Sequence, residues 1–165
     1  MSEMILVVED DENDLIFLKM ALKKAGVTNP IQIAGDGQEA LAYFQDNGKF
    51  ADRTKFPLPY LVLLDLKLPY VMGLDVLTWI REQPQLKSTI VIVITSSRYV
   101  EDIGKAYRLG ANAYLVKPAD LKTLEGMMRS LKDFWLVQNT PAPDWGGPQI
   151  ETIHKQHLET GKVRP

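Results

Sequence analysis

Four short apolar runs in this chain each end in side chains able to do chemistry. Glu9 and Asp10 follow Met4–Val8, Asp65 follows Leu61–Leu64, Thr95 follows Ile90–Ile94, and Lys117 follows Ala113–Val116. Uninterrupted runs of this kind read as strands buried on both faces of a parallel sheet. In open α/β sheets the carboxyl edge of the strands is where ligands bind. Brought to one edge, three carboxylates repel unless a cation lies among them, and hard oxygen ligands with room for water favour Mg2+. An ammonium and a hydroxyl donate to the oxygens of an anion. A carboxylate beside Mg2+ and facing both is equipped to accept a phosphoryl group as an acyl phosphate. Singly, each residue also has an ordinary reading. Asp65 can be a solvated loop residue or a helix N-cap, Thr95 a strand-end hydroxyl, Lys117 a surface ammonium, and Glu9 and Asp10 helix-capping acids. Their joint placement favours the shared site.

The elements that must position these residues alternate along the chain. After the first strand, Met4–Val8, Asp11 is placed to N-cap a helix with Leu15, Leu18, Met20 and Leu22 at roughly helical spacing, closing at Gly26. Ile31–Ala34 reads as the second strand, Gly35-Asp36-Gly37 as a turn, and Gln38–Phe44 as a helix with Ala40, Leu41 and Phe44 inward. A long polar connection, Asn47–Pro59, leads to the third strand, Leu61–Leu64. Further helices are expected over Leu74–Arg81 and Val100–Leu109, the latter with a Gly110 C-cap, and over about Leu121–Val137. Five strand–helix alternations imply an α/β fold: a five-stranded parallel sheet, doubly wound, with right-handed crossovers. From Asn139 the texture turns rich in Pro and Gly, so Asn139–Pro165 reads as an extension without a core of its own.

Composition narrows the function classes. The 165 residues suit one domain, 45% are hydrophobic, and the net charge of -2 gives no basic surface for nucleic acid or an anionic membrane. The absence of cysteine removes disulfides, thiolate metal sites and cysteine nucleophiles. The acidic Met-Ser-Glu-Met start is unlike a signal peptide, and no apolar run is long enough to span a bilayer, so a cytoplasmic location is expected.

The order Glu9-Asp10, Asp65, Thr95, Lys117-Pro118 resembles the receiver domain of two-component response regulators, which has a flavodoxin-like, CheY-like (βα)5 fold. The resemblance covers about residues 3–138, leaving 139–165 as an extension with no output domain. Within that family the chain is most similar to stand-alone regulators that partner phytochrome-type histidine kinases. The cues are the long Asn47–Pro59 loop, the stretch from Asp65 to Pro69, and Phe134-Trp135-Leu136 at the close of the last helix.

The resemblance implies roles. Asp65 takes the phosphoryl group from the phosphohistidine of a sensor histidine kinase. Asp10, Asp65 and the backbone carbonyl of Lys67 hold Mg2+, and Glu9 acts through a bound water. Lys117 pairs with phosphoryl oxygens and Thr95 hydrogen-bonds one of them. Tyr114 matches the switch aromatic that follows Thr95, or else fills a strand–helix groove. A cis peptide at Lys117–Pro118 is implied as well. Such a protein is not an enzyme acting on other substrates: it catalyses its own phosphorylation and slow dephosphorylation. It signals by contact with a downstream protein target. A homodimer through the fourth helix, fifth strand and fifth helix is expected, aided by Trp135, Trp145 and Ile150–Leu158; disorder of the tail is the alternative.

Departures from the family pattern add expectations. Lys67 puts a cation at the rim, and with Ser97 offers no base or amide to orient an in-line water, so slow self-hydrolysis is expected. Tyr70-Val71 is either part of a partner surface or local packing over the third helix. His154 and His157 can bind a metal but are more simply solvated. Two rival functions share the fold or the chemistry. An aspartyl-nucleophile phosphatase would carry Asp-x-Asp, whereas Asp65 is followed by Leu66-Lys67; a phosphorylation-independent scaffold would not need the full residue set.

Overall fold

A computed structural model describes residues 3–142 of the chain. Five strands, β1 (Ile5–Val8), β2 (Ile31–Ala34), β3 (Leu61–Leu64), β4 (Ile90–Thr95) and β5 (Ala113–Val116), alternate with five helices. These are α1 (Glu12–Lys24), α2 (Gly37–Phe44), α3 (Gly73–Glu82), α4 (Val100–Arg108) and α5 (Leu121–Leu131), the last continued by a π-helical segment over Lys132–Gln138. All neighbouring strands run parallel, in the order β2-β1-β3-β4-β5. The doubly wound reading of the sequence therefore holds, and the direction of winding reverses between β1 and β3.

Residues alternate between the two faces of the sheet, as the strand period requires. Leu6, Val8, Val62, Leu64, Val91 and Val93 pack with Ala40, Tyr43, Val76 and Ile80 of α2 and α3. Ile5, Val7, Leu61, Leu63, Ile92 and Ile94 pack with Leu18 and Leu22 of α1 and with Leu124 and Met128 of α5. Met20 does not join that apolar stripe. Leu15, Leu18 and Leu22 define the inward face of α1, and Met20 turns outward beside Ile16 and Phe17. Asp11, Asp36 and Asp120 cap α1, α2 and α5, each side chain accepting a backbone N–H. Gly110, at φ +96°, follows α4 in the left-handed conformation that its predicted C-cap role needs.

The Asn47–Pro59 connection is less polar in structure than in sequence. Phe50 is buried there, with its ring 5.0 Å from Tyr43 and 5.2 Å from Phe56. Arg53 donates to the carbonyls of Phe44 and Phe56, pairs with Asp46 and lies over the Tyr43 ring. Among the described residues every peptide bond is trans, including Lys117–Pro118, which corrects the expected cis bond. Trp145, Ile150, Ile153, His154, His157 and Leu158 lie outside the described residues.

Candidate functional site

Register brings the strand ends into line. Val8 pairs with Ala34 and with Leu64, Leu64 pairs with Val93, and Thr95 pairs with Val116. The residues just beyond these pairs therefore meet at one edge. The buried polar residues among those described are Glu9, Asp65, Thr89, Thr95 and Ser97. All but Thr89 stand at this edge, so burial of polar groups is concentrated where the strands end.

Glu9 leaves β1 with its amide donating to the Ala34 carbonyl, and its Oε1 accepts from the Asp11 amide at 3.1 Å. Asp65 leaves β3 with its amide on the Val8 carbonyl, and its Oδ1 accepts from the Lys67 amide at 3.1 Å. Gly73 closes the β3–α3 loop onto this carboxylate's backbone. A Cβ there would stand 2.0 Å from the Asp65 carbonyl oxygen, so no side chain fits. Thr95 is fully buried, and its Oγ1 accepts from the Ser97 amide at 3.4 Å. The Lys117 amide continues the ladder onto the Thr95 carbonyl, which aims the side chain inward without help from a cis bond.

The Lys117 ammonium is the centre of the arrangement. It donates to Glu9 Oε2 at 2.6 Å, to Asp14 Oδ2 at 2.7 Å and to Asp65 Oδ2 at 2.6 Å, so its three protons are all engaged. Burial alone would lower its pKa, but these carboxylates outweigh burial and hold it above the ordinary lysine value. Burial pushes the Glu9 carboxyl above its usual range, against the opposing pull of Lys117.

Glu9, Asp10 and Asp65 each offer a carboxylate oxygen, all within 4.8 Å of one another. One ammonium, also shared with Asp14, does not balance that charge. The all-oxygen donor set, with Asp10 open to solvent, fits a hard divalent cation that keeps some of its water.

Of the residues singled out by sequence, Glu9, Asp10, Asp65 and Lys117 meet directly, with Thr95 beside them. Lys67 contributes its amide, and its side chain is exposed. Ser97 is buried, and its hydroxyl donates to Asp102 Oδ2 of α4 at 2.5 Å. Tyr114 is half-buried against the core and donates its hydroxyl to the Ser97 carbonyl at 3.1 Å, which seats it in the groove beside the β4–α4 loop. Tyr70 is 80% exposed at φ +65°, Met72 is also exposed, and Val71 packs inward against the core. Local packing therefore holds for Val71, while its neighbours face solvent.

Sequence reasoning missed Asp14. It lies in the first turn of α1, where an acid is ordinary for helix-end electrostatics, yet its carboxylate reaches Lys117. No local signal marked it, because its partner Lys117 is brought to it only by the fold.

Residues 5–129 match the response regulator receiver domain. The chain belongs to that family. Response regulator Rcp1 of Synechocystis is 37% identical over 134 residues, covering 81% of this chain and 89% of Rcp1. The phosphorylated cyanobacterial phytochrome response regulator RcpA superposes with a TM-score of 0.79 at 34% identity, over 86% of this chain and 99% of RcpA. The Mn2+-bound form of Rcp1 superposes with a TM-score of 0.76 at 36% identity, over 85% of this chain and 99% of Rcp1. The chain is thus a receiver of two-component signalling with an acidic pocket suited to a divalent metal. No helix among the described residues is long and apolar enough to cross a membrane.

Proposed function

We propose that this receiver works as a phosphoryl acceptor in a two-component phosphorelay, with Asp65 as the nucleophile in a Mg2+-dependent reaction. The observation that carries this reading is the near-buried Asp65 carboxylate, held on one side by Lys117 and flanked on the other by Glu9 and Asp10. An Asp65 oxygen attacks the phosphorus of a kinase phosphohistidine. An O–P bond forms, the P–N bond breaks, and the imidazole leaves with a proton from solvent. Bound Mg2+ supplies neutralisation of the phosphoryl oxygens during transfer. Asp10, Asp65 and the Lys67 carbonyl would hold it, with Glu9 acting through water. Lys117 then donates to a phosphoryl oxygen, and the Thr95 hydroxyl turns from its Ser97 contact to donate to another.

Thr95 and Tyr114 both touch Ser97, which gives the β4–α4 loop a route to sense that change. The output surface is the α4–β5–α5 face, where Tyr99, Val100 and Tyr107 are exposed, and it serves a protein target or a second copy of the chain. Residues 1–138 form the receiver and 139–165 its extension. The similarity to RcpA supports a phytochrome-type kinase as the phosphoryl source, and a cytoplasmic location fits that role. Self-hydrolysis is slow, because Ser97 spends its hydroxyl on Asp102 and Lys67 offers a cation rather than a group to orient water.

Intact mass after treatment with acetyl phosphate and Mg2+ tests the assignment. One phosphoryl addition is expected, absent in Asp65→Asn. A protein that never gains mass, or that turns over phosphate esters catalytically, overturns it. Lys67→Asn should lose the label severalfold faster than wild type, and an equal or slower loss would remove the account of hydrolysis.

A further inference from the structure

The third partner of Lys117 sits in a different environment from the other two. The Glu9 and Asp65 side chains are 2% and 7% exposed, whereas that of Asp14 is 43% exposed, on α1 at the rim of the site. Asp14 is anchored by its amide, which donates to Asp11 Oδ1 at 2.9 Å, so its backbone is fixed while its carboxylate is held by Lys117 from the solvent side. Beside it, between α1 and the β5–α5 loop, lies a cavity of about 50 Å³ lined by Asp14, Phe17, Lys117, Pro118 and Leu121. The carboxylate can swing toward this space.

Resting on the acceptor reading above, we propose that Asp14 is a positioning residue that competes with the phosphoryl group for Lys117. An ammonium has three protons, and in the resting arrangement Glu9, Asp14 and Asp65 take all of them. Phosphorylation moves the negative charge outward from the Asp65 carboxylate onto phosphoryl oxygens, and Lys117 must follow. Asp14 opposes this twice. It tethers the ammonium toward α1, and it holds a negative charge within one ammonium's reach of the new dianion. Glu9 and Asp65 are buried, whereas water can replace the ammonium at the exposed Asp14 carboxylate. It is therefore the partner that Lys117 releases at least cost. Asp14 stabilises the unphosphorylated state and sets how strongly the phosphorylated one is favoured.

The test uses the full chain and beryllofluoride, a phosphoryl mimic, titrated at saturating Mg2+ by calorimetry, with Mg2+ titrated alone in parallel. Asp14→Asn should bind beryllofluoride about tenfold more tightly, the order expected for removing one like charge at this range in a partly solvated site. The same variant should bind Mg2+ alone a few-fold more weakly, because the freed ammonium faces the metal. Opposite shifts of the two affinities exclude a merely structural role, which would move both the same way. Glu12→Gln, which removes an exposed charge from the same helical turn without a Lys117 contact, should leave both near wild type. Equal shifts in Glu12→Gln would reduce the effect to general charge and overturn the competition. Asp14→Glu, which keeps the charge and can reach Lys117, should stay near wild type. Unchanged or weaker beryllofluoride binding in Asp14→Asn, with wild type binding normally, overturns this proposal alone. A wild type that binds no beryllofluoride and takes no label from acetyl phosphate overturns the acceptor reading with it.

Discussion

Two partly buried cations hold this molecule together in opposite ways. At the carboxyl edge of the sheet, Lys117 is surrounded by acidic side chains, with a further acid, Asp10, beside them. In the connection before β3, Arg53 is surrounded by backbone carbonyls, an aromatic face and one carboxylate, Asp46. The Arg53 node is closed: its charge is matched by one acid, and its remaining contacts are neutral. The Lys117 node carries an excess of negative charge that another cation can relieve. The contrast separates a group that fixes a loop from one that waits for a ligand.

The largest effect should come from removing the ammonium. Lys117→Met leaves the near-buried Glu9 and Asp65 carboxylates facing each other, and metal-free stability should fall by about 3–5 kcal/mol in urea unfolding. Added Mg2+ should restore much of that loss, because a cation that binds only the folded state stabilises it. A metal-free variant as stable as wild type would show that these carboxylates do not need Lys117 at rest.

The next effect lies in the closed node and depends on pH. Burial raises the Tyr43 phenol from its ordinary value of 10.0 to about 12, with Arg53 pulling weakly the other way. Folding therefore favours the protonated phenol, whose O–H donates to the Pro57 carbonyl at 2.5 Å. That contribution is complete below about pH 10 and is lost as pH rises toward 12, an effect of about 2–3 kcal/mol. The difference between wild-type and Tyr43→Phe unfolding free energies should shrink across this window. A constant difference would contradict the assignment.

Smaller again is Arg53→Lys, which gives up the planar fork on two carbonyls and should cost about 1–2 kcal/mol. Its stability should respond to Mg2+ as the wild type does. A changed Mg2+ response would mean that the two nodes communicate and are not the separate devices drawn here.

Much of this contrast could be read from the chain. The β1, β3 and β4 runs are so uniformly apolar that only a sheet covered on both faces accommodates them, and this alone placed Glu9, Asp65 and Thr95 at a common edge. Positions whose meaning depends on a distant partner stayed hidden. Asp14 looks like any acid in a first helical turn until Lys117, far along the sequence, comes within 2.7 Å. Arg53 looks like a loop charge until Phe44 and Phe56 turn their carbonyls to it. Met20 was misjudged because the period of α1 leaves room for a second apolar stripe, Ile16, Phe17 and Met20, that faces outward. The π-helical end of the last helix gave no sign either, since Phe134-Trp135-Leu136 is compatible with an ordinary α-helix.

The seam at Gly73 has a mechanical consequence. Backbone there is butted against the Asp65 peptide, with less room than a single methyl group would need. Asp65 thus has no slack on the α3 side. The opposite flank is held more loosely, the β4–α4 loop by a few hydrogen bonds through Ser97 rather than by backbone wedged against backbone. A stiff wall on one side and a compliant one on the other give the molecule a preferred direction in which to respond.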